Sequence, residues 1–178
     1  MSGRAPDPKK AERFQSAIIF LSDQVNKGSI NPKPVLWHSF RVANNLYEDD
    51  QPEDVVIAGI LHDALEDTKV SLELIRSAFG DKVANLVKTL TFDKSIPDKR
   101  LRYQEAYQRN LGGGQEALLI RTYDILDNSD YYQLAKSKED YDFLLEKMKY
   151  FIDISSAVIS DTNAWKILVA KYESLVGI

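Results

Sequence analysis

Apolar residues recur along most of the chain at the three- and four-residue spacing of amphipathic helices. This spacing predicts helices over residues 11–25, 35–47, 55–67, 72–79, 83–90, 116–135, 141–155 and 163–176. No segment shows a convincing β-strand pattern. The fold class expected from the pattern is all-α, a multi-helix bundle.

The stretch from Val55 to Asp67 reads V-V-I-A-G-I-L-H-D-A-L-E-D. Its first part is hydrophobic on nearly every side, which is typical of a helix buried in a core. It then carries four ionisable side chains, and on a continuous helix His62 would lie over Glu66 and Asp63 over Asp67. Buried charge is tolerated when it is paired or coordinates a metal. A neutral imidazole beside hard oxygen ligands suits a divalent ion such as Mn, Fe or Zn.

A His-Asp dipeptide alone favours a plainer interpretation, a solvated turn at the end of a helix. The chain has two histidines, however, and His38 also lies in a strongly apolar helical segment. An unpaired imidazole would be costly in either place, so the two placements reinforce each other. A similar setting recurs at Asp124, late in a third apolar helix and four residues before Asn128, while Asp127 and Asp130 are expected to face outward.

The candidate metal ligands are therefore His38, His62, Asp63 and Asp124, from three helices. Two imidazoles and two carboxylates leave coordination positions open for water and substrate, as in catalytic metal sites. The sequence predicts one divalent metal ion held between core helices.

Composition narrows the possible functions. A length of 178 residues suits a single domain, expected over residues 11–178 after a flexible leader at 1–10. A net charge of −4 argues against nucleic-acid binding. The absence of cysteine excludes thiolate chemistry and suits a reducing compartment. No segment reads as a membrane span or signal peptide, so the expected location is the cytoplasm.

A basic segment stands out in this acidic chain. Lys94, Lys99, Arg100 and Arg102 lie within nine residues of one another. Such runs are usually solvated surface, but arginine and lysine are also the side chains that bind phosphate. The following Gly112-Gly113-Gly114 fits no phosphate-binding loop and is interpreted as a hinge or loop.

Three motifs together resemble a known family: P-V-L-W-H-S-F-R-V-A, I-L-H-D-A-L-E-D-T and L-I-R-T-Y-D-I-L-D-N. Their order H…HD…D is similar to that of the HD superfamily of metal-dependent phosphohydrolases. It is closest to the guanosine tetra- and pentaphosphate hydrolase domain of Rel/SpoT proteins and their small stand-alone relatives. The resemblance implies that one Mn²⁺ is bound by the four candidate ligands. It also implies that Glu66 and Asp67 orient the attacking water and that Asn128 contacts substrate.

The chain departs from the family pattern at three places. Ile125 replaces the usual cation after the last ligand, and Asp127 precedes Asn128, and both departures bear on recognition of the base. The arginine-lysine pair before the first ligand histidine is reduced to Lys27, in the nearest loop position.

The expected activity is removal of the 3′-pyrophosphate of guanosine tetra- or pentaphosphate, with Lys27, Lys94, Lys99 and Arg102 holding phosphates. Two alternatives stay open at this point: another HD phosphohydrolase such as a nucleoside 5′-monophosphatase, and a non-catalytic nucleotide-binding module. The expected partner is a small nucleotide, and the oligomeric state is open.

Overall fold

A computed structural model of the chain describes residues 7–28 and 34–177. The described residues form ten α-helices and one 3₁₀ turn at Tyr132–Leu134, with no β-strand among them. The α-helices are α1 Pro8–Asn26, α2 Val35–Glu48, α3 Glu53–Leu61, α4 Ala64–Asp67, α5 Leu72–Phe79, α6 Asp81–Leu90, α7 Lys99–Gly112, α8 Gly114–Ser129, α9 Lys138–Ile159 and α10 Asn163–Val176. The expected all-α fold is confirmed. Part of the predicted leader and of the loop carrying Lys27 lies outside the described residues.

The contacts divide the chain into two compact units, Met1–Val87 and Lys88–Ile178. In the first unit, α1, α2 and α3 pack against one another. Every residue of α3 from Val55 to Leu61 is buried, as its hydrophobic pattern predicts. This helix is the centre of the first unit.

The helix predicted over residues 55–67 is interrupted. α3 ends at Leu61, and α4 begins at Ala64 with Asp63 at its N-cap position. The carbonyl of Gly59 accepts a hydrogen bond from Nδ1 of His62 at 2.8 Å, although a continuing α-helix would use that carbonyl for the N–H of residue 63. The Asp63 carbonyl then accepts from the N–H groups of Glu66 and Asp67, at 3.0 and 2.9 Å. His62 and Asp63 therefore lie at a turn between two helices, and the prediction of one continuous helix over residues 55–67 is wrong. Asp63 still lies one helical turn before Asp67, as predicted.

In the second unit, α8 packs against α7, α9 and α10. Eleven residues of α8 are buried, including Asp124, Ile125 and Asp127. Ile125 joins an apolar cluster with Tyr107, Leu118 and Phe151. The prediction that Asp127 faces outward is wrong, since its side chain is 3% exposed, whereas Asp130 does face outward and pairs with Lys171 at 2.9 Å.

The three glycines at residues 112–114 form a tight junction between α7 and α8 instead of a loose hinge. A Cβ atom added at Gly113 would lie 2.8 Å from Cγ2 of Thr89 and 3.0 Å from Cβ of Ala117. Gly114 has a φ of +80°, a backbone conformation that favours glycine. Close packing explains Gly113, and backbone conformation explains Gly114.

Several helix ends carry residues that are typical helix caps. Ser71 accepts a hydrogen bond from the N–H of Leu74 at the start of α5, and Gly80 follows its end with a φ of 88°. Thr162 caps α10 in the same way through the N–H of Trp165. Within the described ranges, no helix combines the length and the apolar character needed to cross a membrane.

Candidate metal centre

Two buried imidazoles face each other in the first unit. His38 lies in α2 and is 4% exposed, and His62 follows α3 and is 1% exposed. Their Nε2 atoms are 3.1 Å apart. Because Nδ1 of His62 is placed to donate to the Gly59 carbonyl, its Nε2 is left to present a lone pair toward His38.

The carboxylate of Asp63 completes this group. Its Oδ2 lies 3.6 Å from Nε2 of His38, and its Oδ1 lies 3.4 Å from Nε2 of His62. One ligand atom from each of the three residues lies within 4.8 Å of the others. Two nitrogens and a carboxylate oxygen thus converge in a nearly buried position.

This arrangement fits a divalent cation. A histidine ligand typically donates its second ring N–H to a carbonyl or carboxylate, which fixes the tautomer, and His62 makes that bond with Gly59. The mixed set of imidazole nitrogen and carboxylate oxygen suits Mn, Fe or Zn. The residues present therefore fit the metal that the sequence predicts.

Asp124 lies in the second unit, in the buried part of α8. Its Oδ2 accepts a hydrogen bond from Nη1 of Arg121 at 2.6 Å, and its Oδ1 accepts one from Nδ2 of Asn128 at 2.6 Å. The predicted sharing of one helix face by Asp124 and Asn128 holds in the structure. His38, His62, Asp63 and Asp124 are the candidate metal-binding residues in the described part of the chain.

The two acidic residues expected to act on water lie in α4. Asp67 is buried and Glu66 is half-buried. The backbone N–H groups of both bond to the Asp63 carbonyl, so the position of this short helix depends directly on a candidate ligand residue.

The basic residues expected to bind phosphate differ in their surroundings. Lys27, Lys94 and Lys99 are exposed. Arg102 instead donates from Nε to the carbonyl of Ile96 at 2.7 Å and from Nη2 to that of Pro97 at 3.2 Å. These two hydrogen bonds hold the loop before α7 and use much of the hydrogen-bonding capacity of Arg102.

Sequence reasoning assigned no role to Arg121. This residue appears in the L-I-R-T-Y-D motif, and its position three residues before Asp124 on a helix is the signal that could have found it. The structure shows it buried and paired with that carboxylate.

A model of the HD domain family matches residues 17–113, and the chain belongs to this family. The match includes His38, His62 and Asp63 and ends before Asp124. The resemblance stated from the motifs is confirmed.

Several curated relatives carry the name guanosine-3′,5′-bis(diphosphate) 3′-pyrophosphohydrolase. MESH1 of Drosophila melanogaster is 39% identical over 128 residues, covering 69% of this chain and 69% of that protein. Human MESH1 is 32% identical over 99 residues, covering 53% of this chain and 55% of that protein. The Aquifex aeolicus protein is 31% identical over 124 residues, covering 68% of this chain and 18% of that protein. The chain thus spans about half of the human relative and a small part of the bacterial one.

Solved structures with the same fold include a metazoan ortholog of SpoT that hydrolyzes ppGpp. Its TM-score is 0.79 at 23% identity, and the match covers 98% of this chain and 99% of that one. The protein lmo0812 of Listeria monocytogenes matches with a TM-score of 0.71 at 26% identity, covering 79% of this chain and 94% of that one. These matches extend the shared fold beyond residue 113.

Proposed function

We propose that the protein is a metal-dependent phosphohydrolase that removes the 3′-pyrophosphate of guanosine tetra- or pentaphosphate. The observation that carries this proposal is the convergence of His38, His62 and Asp63 in a member of the HD domain family. The names of the MESH1 relatives support the choice of substrate.

We propose that His38, His62, Asp63 and Asp124 hold one divalent ion, and that this ion is Mn²⁺. When bound, such an ion makes water more acidic and withdraws charge from phosphoryl oxygens. The imidazoles act as neutral ligands, and the Gly59 carbonyl keeps the His62 ring in the required tautomer.

The carboxylates of α4 supply the proton chemistry in this proposal. Glu66 is half-buried, which allows it to contact both solvent and a bound nucleotide, so we assign it the acceptance of a proton from the attacking water. Asp67 is buried and is assigned to orienting that water. Asn128 holds Asp124 through its amide nitrogen and is proposed to contact the nucleotide through its oxygen.

Lys27, Lys94 and Lys99 are proposed to hold the phosphates, because these three lysines are exposed and an ammonium group donates hydrogen bonds to phosphate oxygens. Arg102 is proposed to shape the 96–98 loop through its Nε and Nη2 and to reach phosphate with Nη1. Because Arg102 donates to two backbone carbonyls, the lysines are proposed as the main phosphate contacts.

A nucleotide panel assayed with Mn²⁺ tests the proposal. Wild-type protein should release pyrophosphate from guanosine tetraphosphate and leave nucleoside 5′-monophosphates nearly untouched, and Glu66→Gln serves as the inactive control. Orthophosphate release from monophosphates would instead establish the second candidate, a 5′-monophosphatase. Nucleotide binding without turnover by metal-loaded protein would establish a binding module.

A cytoplasmic location is part of the same proposal. The absence of cysteine is compatible with a reducing compartment, and the proposed substrate is a small nucleotide. Fractionation of cells that express the full chain would test it, since recovery with the membrane or secreted fraction would contradict it.

A further inference from the structure

Arg121 is a buried cation in the core of the second unit. Its side chain is 2% exposed, and a guanidinium in such a position requires both a counter-charge and hydrogen-bond acceptors. Three separate acceptors surround it. Nη1 donates to Oδ2 of Asp124 at 2.6 Å, Nε donates to Oδ1 of Asn110 at 3.0 Å, and Nη2 donates to the carbonyl of Leu90.

Two aromatic rings further restrict the guanidinium. Its central carbon lies 4.8 Å from the ring centroid of Phe92 and 5.6 Å from that of Tyr107. A cation over an aromatic face is attracted to it, and rings at these distances also leave the guanidinium little room to turn. Arg121 lies in α8, but contacts from other elements also fix its side chain. These elements are α6, α7 and the segment that follows α6.

The fixed position of Arg121 also restricts the carboxylate of Asp124, to which it is hydrogen-bonded. Arg121, three residues earlier, binds one carboxylate oxygen, and Asn128, four residues later, binds the other. A carboxylate held at both oxygens cannot rotate about its last bond without losing one contact. A carboxylate oxygen has two lone pairs, so a hydrogen bond to one of them does not by itself exclude coordination of a metal.

We infer that Arg121 is a positioning residue that fixes the orientation of the Asp124 carboxylate for metal binding. This inference rests on the proposed role of Asp124 as a metal ligand. Arg121 acts through Asp124 and has no assigned contact with substrate. Its positive charge alone would weaken cation binding by repulsion, so its benefit must come from orientation and from keeping the carboxylate well packed.

Substitutions can separate charge from geometry. Arg121→Lys keeps the charge but presents a point donor in place of a planar fork, so it cannot reproduce the bonds to Asn110, Leu90 and Asp124 together. Arg121→Gln removes the charge and retains some hydrogen-bonding capacity. If repulsion dominated, Arg121→Gln would bind metal more tightly than wild type; if orientation dominates, it binds more weakly.

Arg109 provides a matched control in the same unit. It also ties α7 to the end of α6, donating from Nη1 to the carbonyls of Lys88 and Thr91 at 2.9 Å each. Its Nε and Nη2 donate to the carboxylate of Glu105, which is not a candidate metal ligand. Arg109→Gln therefore removes a comparable structural contact while leaving the contacts of Asp124 in place.

The experiment measures the Mn²⁺ dissociation constant by calorimetry, and the change in Tm on adding Mn²⁺, for wild type, Arg121→Gln, Arg121→Lys and Arg109→Gln. We expect Arg121→Gln to bind Mn²⁺ about 10- to 100-fold more weakly, which is the usual range for residues that orient metal ligands. Arg121→Lys should fall between that variant and wild type. Arg109→Gln should bind like wild type even where its Tm without metal is lower.

A purely structural role for Arg121 would lower the Tm without metal and leave the Mn²⁺ dissociation constant unchanged, which would overturn the inference. If Arg121→Gln fails to fold, Arg121→Lys tests the inference in its place. Wild-type affinity for Mn²⁺ in Arg121→Lys would then overturn the inference. Absence of Mn²⁺ binding by wild type would overturn both the proposed function and the inference. Normal wild-type binding with unchanged Arg121 variants would overturn the inference alone.

Discussion

The His62 ring is oriented by its own helix. Because Nδ1 is committed to the Gly59 carbonyl, only Nε2 is available toward His38 and Asp63. The same bond coincides with the end of α3, so one side-chain contact both orients a candidate ligand and helps to turn the chain into α4. The residues that would act on water follow this turn directly.

The assignment of Glu66 can be tested by one isosteric change. Glu66→Gln should retain Mn²⁺ and lose turnover, because the four candidate ligands are untouched while the proton acceptor is removed. The expected loss in kcat is about 10²- to 10⁴-fold, the usual contribution of a general base. Elemental analysis and steady-state kinetics on the same preparation would measure both quantities.

Glu73→Gln is the matched control, because Glu73 is an exposed glutamate of the same unit, in α5. It should keep wild-type kcat and metal content. Wild-type kcat in Glu66→Gln would remove Glu66 from the mechanism and leave Asp67 as the candidate.

For single residues, the sequence predicted which side chains belong to the candidate site better than it predicted their hydrogen-bond partners. Apolar surroundings singled out His38, His62 and Asp124, because an ionisable group in a hydrophobic helix needs a reason to be there. The bonds of Arg121 to Asn110 and to the Leu90 carbonyl were not predictable, because those acceptors lie on other helices. The same holds for Arg102, whose acceptors are carbonyls of the loop backbone. The exposure of Asp127 was misjudged because polarity was given more weight than its position on a buried helix.

At the scale of elements, helix boundaries were predicted best where a capping residue marks them. α5 and α10 begin after Ser71 and Thr162, as their side chains indicate. The break between α3 and α4 was missed because a side-chain-to-backbone bond leaves no mark on hydrophobic periodicity. The glycine run was misread because composition alone does not distinguish a flexible joint from a closely packed one.

Gly113 and Gly112 form a matched pair for testing the junction between α7 and α8. Gly113→Ala should lower the free energy of unfolding by roughly 1–3 kcal/mol, the usual cost of overpacking, because its Cβ would press on Thr89 and Ala117. Its φ of −75° is ordinary, so steric contact is the only expected cause. Urea unfolding monitored by circular dichroism would measure the change.

Gly112→Ala is the control, because a Cβ there meets nothing within 4 Å. It should raise the free energy of unfolding by roughly 0.4–1 kcal/mol through the lower entropy of the unfolded chain. Equal effects of the two substitutions would show that packing at Gly113 is not the reason for glycine there.

An ion pair joins α7 to α9 and makes a pH-dependent contribution to stability. Nη2 of Arg100 donates to the carboxylate of Glu146 at 2.7 Å, and the hydroxyl of Tyr103 donates to it at 2.9 Å. The hydrogen bond from Arg100 is the main reason that the pKa of Glu146 lies below its ordinary value of 4.5. A lowered carboxyl pKa stabilises the folded chain above the unfolded pKa, and this contribution is lost as the pH falls through the folded pKa.

Glu146→Gln should therefore lower the Tm slightly at pH 7 and make little difference once the pH is well below 4.5. Thermal unfolding from pH 7 to pH 3 would compare the variant with wild type, with Glu173→Gln, at an exposed glutamate of the same unit, as control. A Tm difference that persists unchanged to the lowest pH would contradict the ion-pair explanation.

At the scale of the whole molecule, the length of the chain led to the expectation of one domain over residues 11–178, and this stays a prediction. The described contacts group the chain into two compact units, and three candidate ligands belong to one and Asp124 to the other. The family model stops at residue 113, yet the fold similarity to the metazoan SpoT ortholog covers 98% of the chain. The fourth candidate ligand, Asp124, was therefore identified from its motif, although it lies outside the residues that the family model matches.

If the four candidate ligands bind Mn²⁺ as proposed, the metal should raise the stability of the fold, because an unfolded chain does not hold these residues together. At a free Mn²⁺ concentration of 100 times the dissociation constant, the gain is about 2.7 kcal/mol. For a chain of this size, that corresponds to a rise in Tm of roughly 5–10 °C. Asp124→Asn and His62→Ala should each lose most of this rise, while Asp130→Asn, at an exposed carboxylate next to the end of α8, should keep it. Differential scanning calorimetry with Mn²⁺ and with a chelator measures the shift directly, and a full rise in Asp124→Asn would remove Asp124 from the ligand set.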